Sequence, residues 1–111
     1  FPDVEITAIG TNSVATGAML KAGADHGATG ENAVIVGARK ADIIAGPIGI
    51  VIADSLYGEI TPKMALAVAQ SNAKRILIPF NHCDNIIAGV SDLSVGKLIQ
   101  SAVEEIRKSL A

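Results

Sequence analysis

Three short strand-like runs, each closed by glycine or proline and separated by stretches of helical character, restrict this chain's fold more than any other feature. They are Val4 to Ile9 closed by Gly10, Asp42 to Ala45 closed by Gly46-Pro47, and Ile76 to Ile78 closed by Pro79. Runs of this length, rich in Ile and Val and bounded by turn residues, read as strands. The second has no polar alternation, which predicts a strand buried on both faces and the central one of the sheet, and the third reads as a buried strand. Parallel strands cannot be joined by a tight turn and need a crossover of a dozen or more residues. Strands alternating with helices therefore predict an α/β layer fold with a mostly parallel sheet.

The intervening segments supply those crossovers. Thr11-Asn12-Ser13 offers N-cap side chains to a helix from Ser13 to Ala22, stopped by Gly23. Ala24 to Gly30 contains two glycines and reads as a loop. Glu31 to Lys40 is ambiguous. Val34, Ile35 and Val36 favour a strand, whereas Glu31, Ala33, Ala38 and Arg39 tolerate a helix, and the helix is preferred because the strand at Asp42 needs a crossover before it. Ile48 to Ala53 is open between a first helical turn and a second strand. Thr61-Pro62 marks a helix start, with Thr as N-cap and Pro in the first turn, and that helix is expected to reach Ala73. Ile86 to Val90 reads as a fourth, shorter strand. Ser94 caps a last helix whose Val95, Leu98, Ile99, Ala102, Val103, Ile106 and Leu110 fall on one stripe.

Composition narrows the functional classes. The chain has 111 residues, 50 % of them hydrophobic and 18 % charged, which predicts a single α/β domain over 1–111 rather than a disordered chain. With aromatics at only 3 %, the core must be built from Ile, Val, Leu and Ala. A net charge of −2 gives no electrostatic basis for nucleic-acid binding, and no basic run suggests a membrane surface. The uncharged run Ile43 to Ala53 is too short to cross a bilayer. One cysteine rules out an intrachain disulfide and agrees with a cytoplasmic setting. The chain opens Phe1-Pro2-Asp3 without an initiator Met, as a trimmed or processed terminus would.

Right-handed crossovers place every strand-to-helix loop of a parallel sheet on one edge, where doubly wound folds hold ligands. Three loops are expected there. Gly10-Thr11-Asn12-Ser13 combines helix N–H donors with hydroxyl and amide side chains, which suits a phosphate or carboxylate. Gly46-Pro47-Ile48-Gly49 brings glycine backbone close to whatever sits above it. Pro79-Phe80-Asn81-His82-Cys83 sets the one thiol beside an imidazole and an amide. The candidate ligand-binding residues are thus Gly10, Thr11, Asn12, Ser13, Gly46, Pro47, Gly49 and Asn81. No full G-x-G-x-x-G or P-loop occurs, so the cofactor is left open, with a nucleotide or dinucleotide among the options.

Catalytic candidates are fewer. Cys83 could act as a nucleophile with His82 or His26 as base, although a buried, inert cysteine is the commoner condition. Glu59 could serve as a general base, but an acid just ahead of a helix also stabilises the helix dipole. Thr29-Gly30-Glu31-Asn32 could cap the next segment, lie over a ligand, or simply be solvated. Adjacent side chains such as those of His82, Cys83 and Asp84 point apart, so no metal site is expected.

The strings GTNSVATGAMLKAGADHGATGENAV, ADIIAGPIGIVIADSLYGEITPKMA and AKRILIPFNHC resemble a family of short bacterial proteins catalogued as a domain of unknown function, DUF3842. The resemblance runs from about Asp3 to Cys83 and includes an Asn-x-Cys motif matched by Asn81-His82-Cys83. It implies a three-layer Rossmann-like fold, with an N-terminal strand, a glycine-rich turn and a helix expected ahead of the Pro2-Asp3-Val4-Glu5 segment. It implies no activity. The leading expectation is a domain that binds a nucleotide or other small phosphorylated molecule at the carboxyl edge of a parallel sheet. The alternatives are a cysteine-dependent enzyme using Cys83 and a homo-oligomeric assembly or regulatory module.

Overall fold

The computed structural model describes residues 3–80, 85–89 and 94–110. In chain order it contains β1 (Thr7–Gly10), α1 (Ser13–Lys21), β2 (His26–Thr29), α2 (Glu31–Lys40), β3 (Ile43–Pro47), a 3-10 turn (Ile48–Val51), α3 (Pro62–Ala69), β4 (Lys74–Ile78) and α4 (Val95–Leu110). β1 pairs with β2 in parallel, from Thr7 opposite His26 to Gly10 opposite Thr29. β3 pairs with β4 in parallel, from Ile43 opposite Lys74 to Pro47 opposite Ile78. The class is α/β and both pairings are parallel, as expected. The described strands nevertheless form two two-stranded sheets rather than a single layer. α2 is the crossover between them: it packs on β1, β2 and α3, while α1 packs on β1 and β2 and α4 on β4.

Several boundaries differ from those expected, each for a local reason. The stretch Ala24 to Gly30 is not all loop, because His26–Thr29 is β2. Its sequence, His-Gly-Ala-Thr, has little intrinsic strand character; the parallel ladder to β1 makes it a strand, and the small Gly27 lets Leu20 and Thr16 of α1 close over it. β1 starts at Thr7 rather than Val4. Ahead of it the Asp25 carboxylate accepts from the Ile6 N–H at 2.7 Å, a side-chain bond in place of a ladder bond. β3 includes Gly46 and Pro47, and Ala45 within it is exposed. The reading of this run as a strand buried on both faces therefore fails: at Ala45 one face meets solvent rather than a second layer.

The helices follow their sequence signals closely at their starts and less closely at their ends. Asn12, Thr61 and Ser94 accept from the backbone N–H groups of Ala15, Met64 and Lys97 at 2.9, 3.2 and 3.2 Å. α3 stops at Ala69, short of Ala73. Just beyond it the Ser71 hydroxyl donates to the Ala38 carbonyl at 2.6 Å and accepts from the Ala73 N–H at 3.0 Å, a local alternative to further helix that also ties the turn to α2. Ile48 to Val51 takes the helical-turn option, as a 3-10 turn. The strand expected over Ile86 to Val90 does not form in its described part. Asn85 makes an isolated bridge, Ala88-Gly89 is a turn, and Ile86 is 90 % exposed, with no ladder partner to hold an extended segment. In α4 only Leu98 and Ala102 of the stripe are buried, since β4 covers a narrower band than the pattern offers.

The principal core cluster is Ile60, Met64 and Ala65, with Val34, Ile50 and Leu56 packed against it. It joins α2, the 3-10 turn and α3, so the start of α3 is held from three sides. Thr61→Ala is expected to lower stability by about 1 kcal/mol, within a range of about 0.5–2, by removing the N-cap acceptor. A urea titration checks this: the midpoint should fall with the slope unchanged.

Candidate functional site

The site is assembled where the strands end and the helices begin. β1 finishes at Gly10, and the chain reaches α1 within two residues. Asn12 is extended (φ −144°, ψ 163°) and acts as the N-cap. Its side-chain oxygen accepts from Ala15, and its carbonyl accepts from the Thr16 N–H and hydroxyl, both at 3.2 Å. The Thr16 hydroxyl also meets the Ala28 carbonyl at 3.2 Å and the Thr29 hydroxyl at 2.8 Å, so a buried polar side chain locks α1 to the end of β2. Gly10 permits this tight seat. A Cβ there would lie 2.8 Å from the Thr16 nitrogen and 2.9 Å from the Asn12 carbonyl oxygen. α1 has no acidic residue in its first turn, and Asn12, Ser13 and Val14 are exposed. The positive end of this helix dipole is thus open to solvent without a charged residue of its own.

A second element reaches the same place from the segment before α3. Asp54, Leu56 and Tyr57 have left-handed φ values of 65°, 54° and 56°, followed by Gly58 at 83°. Such a conformation costs a non-glycine residue roughly 1–2 kcal/mol. It is held by backbone bonds from Asp54 to Ile60 at 2.7 Å and from Ile60 to Ser55 at 3.2 Å, and by Leu56 packing on the core. The loop leaves Tyr57 fully exposed and directs Glu59 at α1, where its carboxylate accepts from the Asn12 side-chain amide at 3.2 Å.

The third element is α2. Glu31 opens it and accepts from the Thr61 hydroxyl at 2.5 Å, while Thr61 caps α3. Two side-chain bonds, Asn12 to Glu59 and Thr61 to Glu31, therefore tie the N-terminal ends of α1, α2 and α3 into one neighbourhood. Glu31 stabilises the dipole of its own helix, and Glu59 lies within reach of α1 and just ahead of α3.

Gly10, Thr11, Asn12, Ser13 and Glu59 come together here. Gly46 and Pro47 are half-buried parts of β3 rather than an open loop. Gly49 is buried, and its carbonyl accepts from the Ser55 hydroxyl and from the Ile52 N–H, so its backbone is taken up within the chain's own turn. Asn81, His82 and Cys83 lie outside the described residues. His26 is elsewhere, at the amino end of β2, with Nε2 3.1 Å from a Glu5 carboxylate oxygen. It lines an open hollow of about 510 Å³ with Asp3, Val4, Glu5 and Asp25. A second hollow of about 230 Å³ includes Arg39, Gln70 and Ser71 and lies at the far ends of α2 and α3. Both are at the amino ends of the strands, and the first is lined by three carboxylates, an unsuitable surface for an anion. Among the described residues no three His, Cys, Asp or Glu are grouped to hold a metal ion, and no helix is long and apolar enough to cross a membrane.

Sequence reasoning missed the Glu31–Thr61 bond and the left-handed turn at Leu56-Tyr57. Thr61 was legible as a cap, but its second partner is thirty positions away and leaves no local trace. For the turn, Gly58 was the one available sign.

Comparison with known proteins places the chain without assigning it chemistry. No curated protein and no solved structure matches it. One family model does match, over residues 1–111, and the chain belongs to that family, described as a domain of unknown function (DUF3842).

Proposed function

We propose that this chain binds a small phosphorylated molecule, with a nucleotide as the leading class, at the carboxyl ends of its strands within a three-layer Rossmann-like arrangement. The observation that carries this reading is the meeting of three helix N-termini, of which α1 presents an acid-free first turn next to Thr11, Asn12 and Ser13. A phosphate placed there would accept from first-turn N–H groups and from the Asn12 and Ser13 side chains. Such an anion competes with Glu59 for the Asn12 amide. Glu59 is exposed, so a phosphate at this end of α1 requires its carboxylate to swing into solvent, away from the like charge.

Ligand-dependent melting tests the reading. A bound ligand at a hundred times its Kd stabilises the folded state by about 2.7 kcal/mol. AMP, ADP or a nicotinamide dinucleotide should raise the Tm of the wild-type chain. The double variant Asn12→Ala, Ser13→Ala should remain folded by circular dichroism yet lose that rise. A wild-type Tm that none of these compounds, nor inorganic phosphate, moves would overturn the proposal.

A second reading, self-assembly, is favoured by the apolar side chains that α1 leaves in solvent: Val14 at 80 %, Leu20 at 42 % and Met19 at 38 % exposure. Symmetric homo-oligomers commonly cover such surfaces. Light scattering at micromolar concentration should give a mass of at least twice 11.3 kDa, and Val14→Glu should return it to the monomer. A wild-type monomer rejects this reading and leaves ligand binding untouched.

A further inference from the structure

We draw no further inference here: the strongest candidate, the strand edges of β1 and β3 that carry no ladder among the described residues, has nothing in the structure to show what covers it.

Discussion

Met64→Ala is expected to cost about 2–5 kcal/mol and to lower the Tm by roughly 10–20 °C for a domain of this size. Met64 is 2 % exposed and is the largest fully buried side chain described. It sits between Ile60 and Ala65 with Val34, Ile50 and Leu56 against the cluster, so truncation leaves a cavity bordered by three separate elements. A second loss accompanies the cavity. The Met64 sulfur accepts from the Thr61 N–H at 3.4 Å, completing the reciprocal capping pair whose other half is the bond from the Met64 N–H to the threonine hydroxyl. Met64→Leu separates the two effects. It conserves volume, for which a cost below about 1.5 kcal/mol is expected, but removes the sulfur acceptor. Guanidinium unfolding of the three proteins reads both terms. An alanine variant as stable as the leucine one would mean that the start of α3 is not packed as described.

Gly10→Ala has the second largest expected effect, and it links the fold to the proposed site. The added Cβ meets the Thr16 hydroxyl and, more importantly, backbone atoms at 2.8 and 2.9 Å. A side chain can rotate away from a new methyl group, but the first turn of a helix cannot move without breaking its cap. Overpacking of this kind costs about 1–3 kcal/mol. Because Asn12 and Thr16 shift together, the ligand-dependent rise in Tm should be lost with it. Gly37→Ala is the control. Its Cβ meets mainly Cδ1 of Ile9, the far end of a flexible side chain, so the variant should be less destabilised and should keep its ligand response. Denaturant midpoints and melting curves of both variants provide the comparison. Equal stability of Gly10→Ala and wild type would show that α1 does not sit on β1 as closely as the structure has it.

Helix starts were the most legible feature of the chain, because a cap is a contact over three residues. Asn12, Thr61 and Ser94 each declare one by residue type, and all three accept the expected backbone N–H. Where elements stop depends on distant partners. Ser71 ends the region of α3 through the Ala38 carbonyl, thirty-three residues back in sequence. β2 shows the same limit more sharply: no propensity marks His26–Thr29 as a strand, and only the ladder to β1 makes it one.

For the candidate site, residue type was enough to mark Asn12 and Ser13 as polar residues at a helix start, and the structure places them there, with Asn12 as the cap. It was not enough to place Gly46, Pro47 and Gly49, because a glycine in an open loop and one in a strand end or a 3-10 turn look alike in sequence.

By itself, then, the sequence determined the α/β class, the parallel habit of the strands and the places where helices begin, because periodicity, caps and crossovers are local or nearly local constraints; the family was legible separately, through the resemblance of its long motif strings. Only the tertiary structure decided that the described strands pair two by two, that Glu59 and Glu31 reach Asn12 and Thr61, and that α1 keeps apolar side chains in solvent. Each of these is a contact, or in the case of α1 a missing cover, between segments far apart in the chain. Its free energy depends on how close the packed elements bring two groups, and no residue pattern along the chain records that distance.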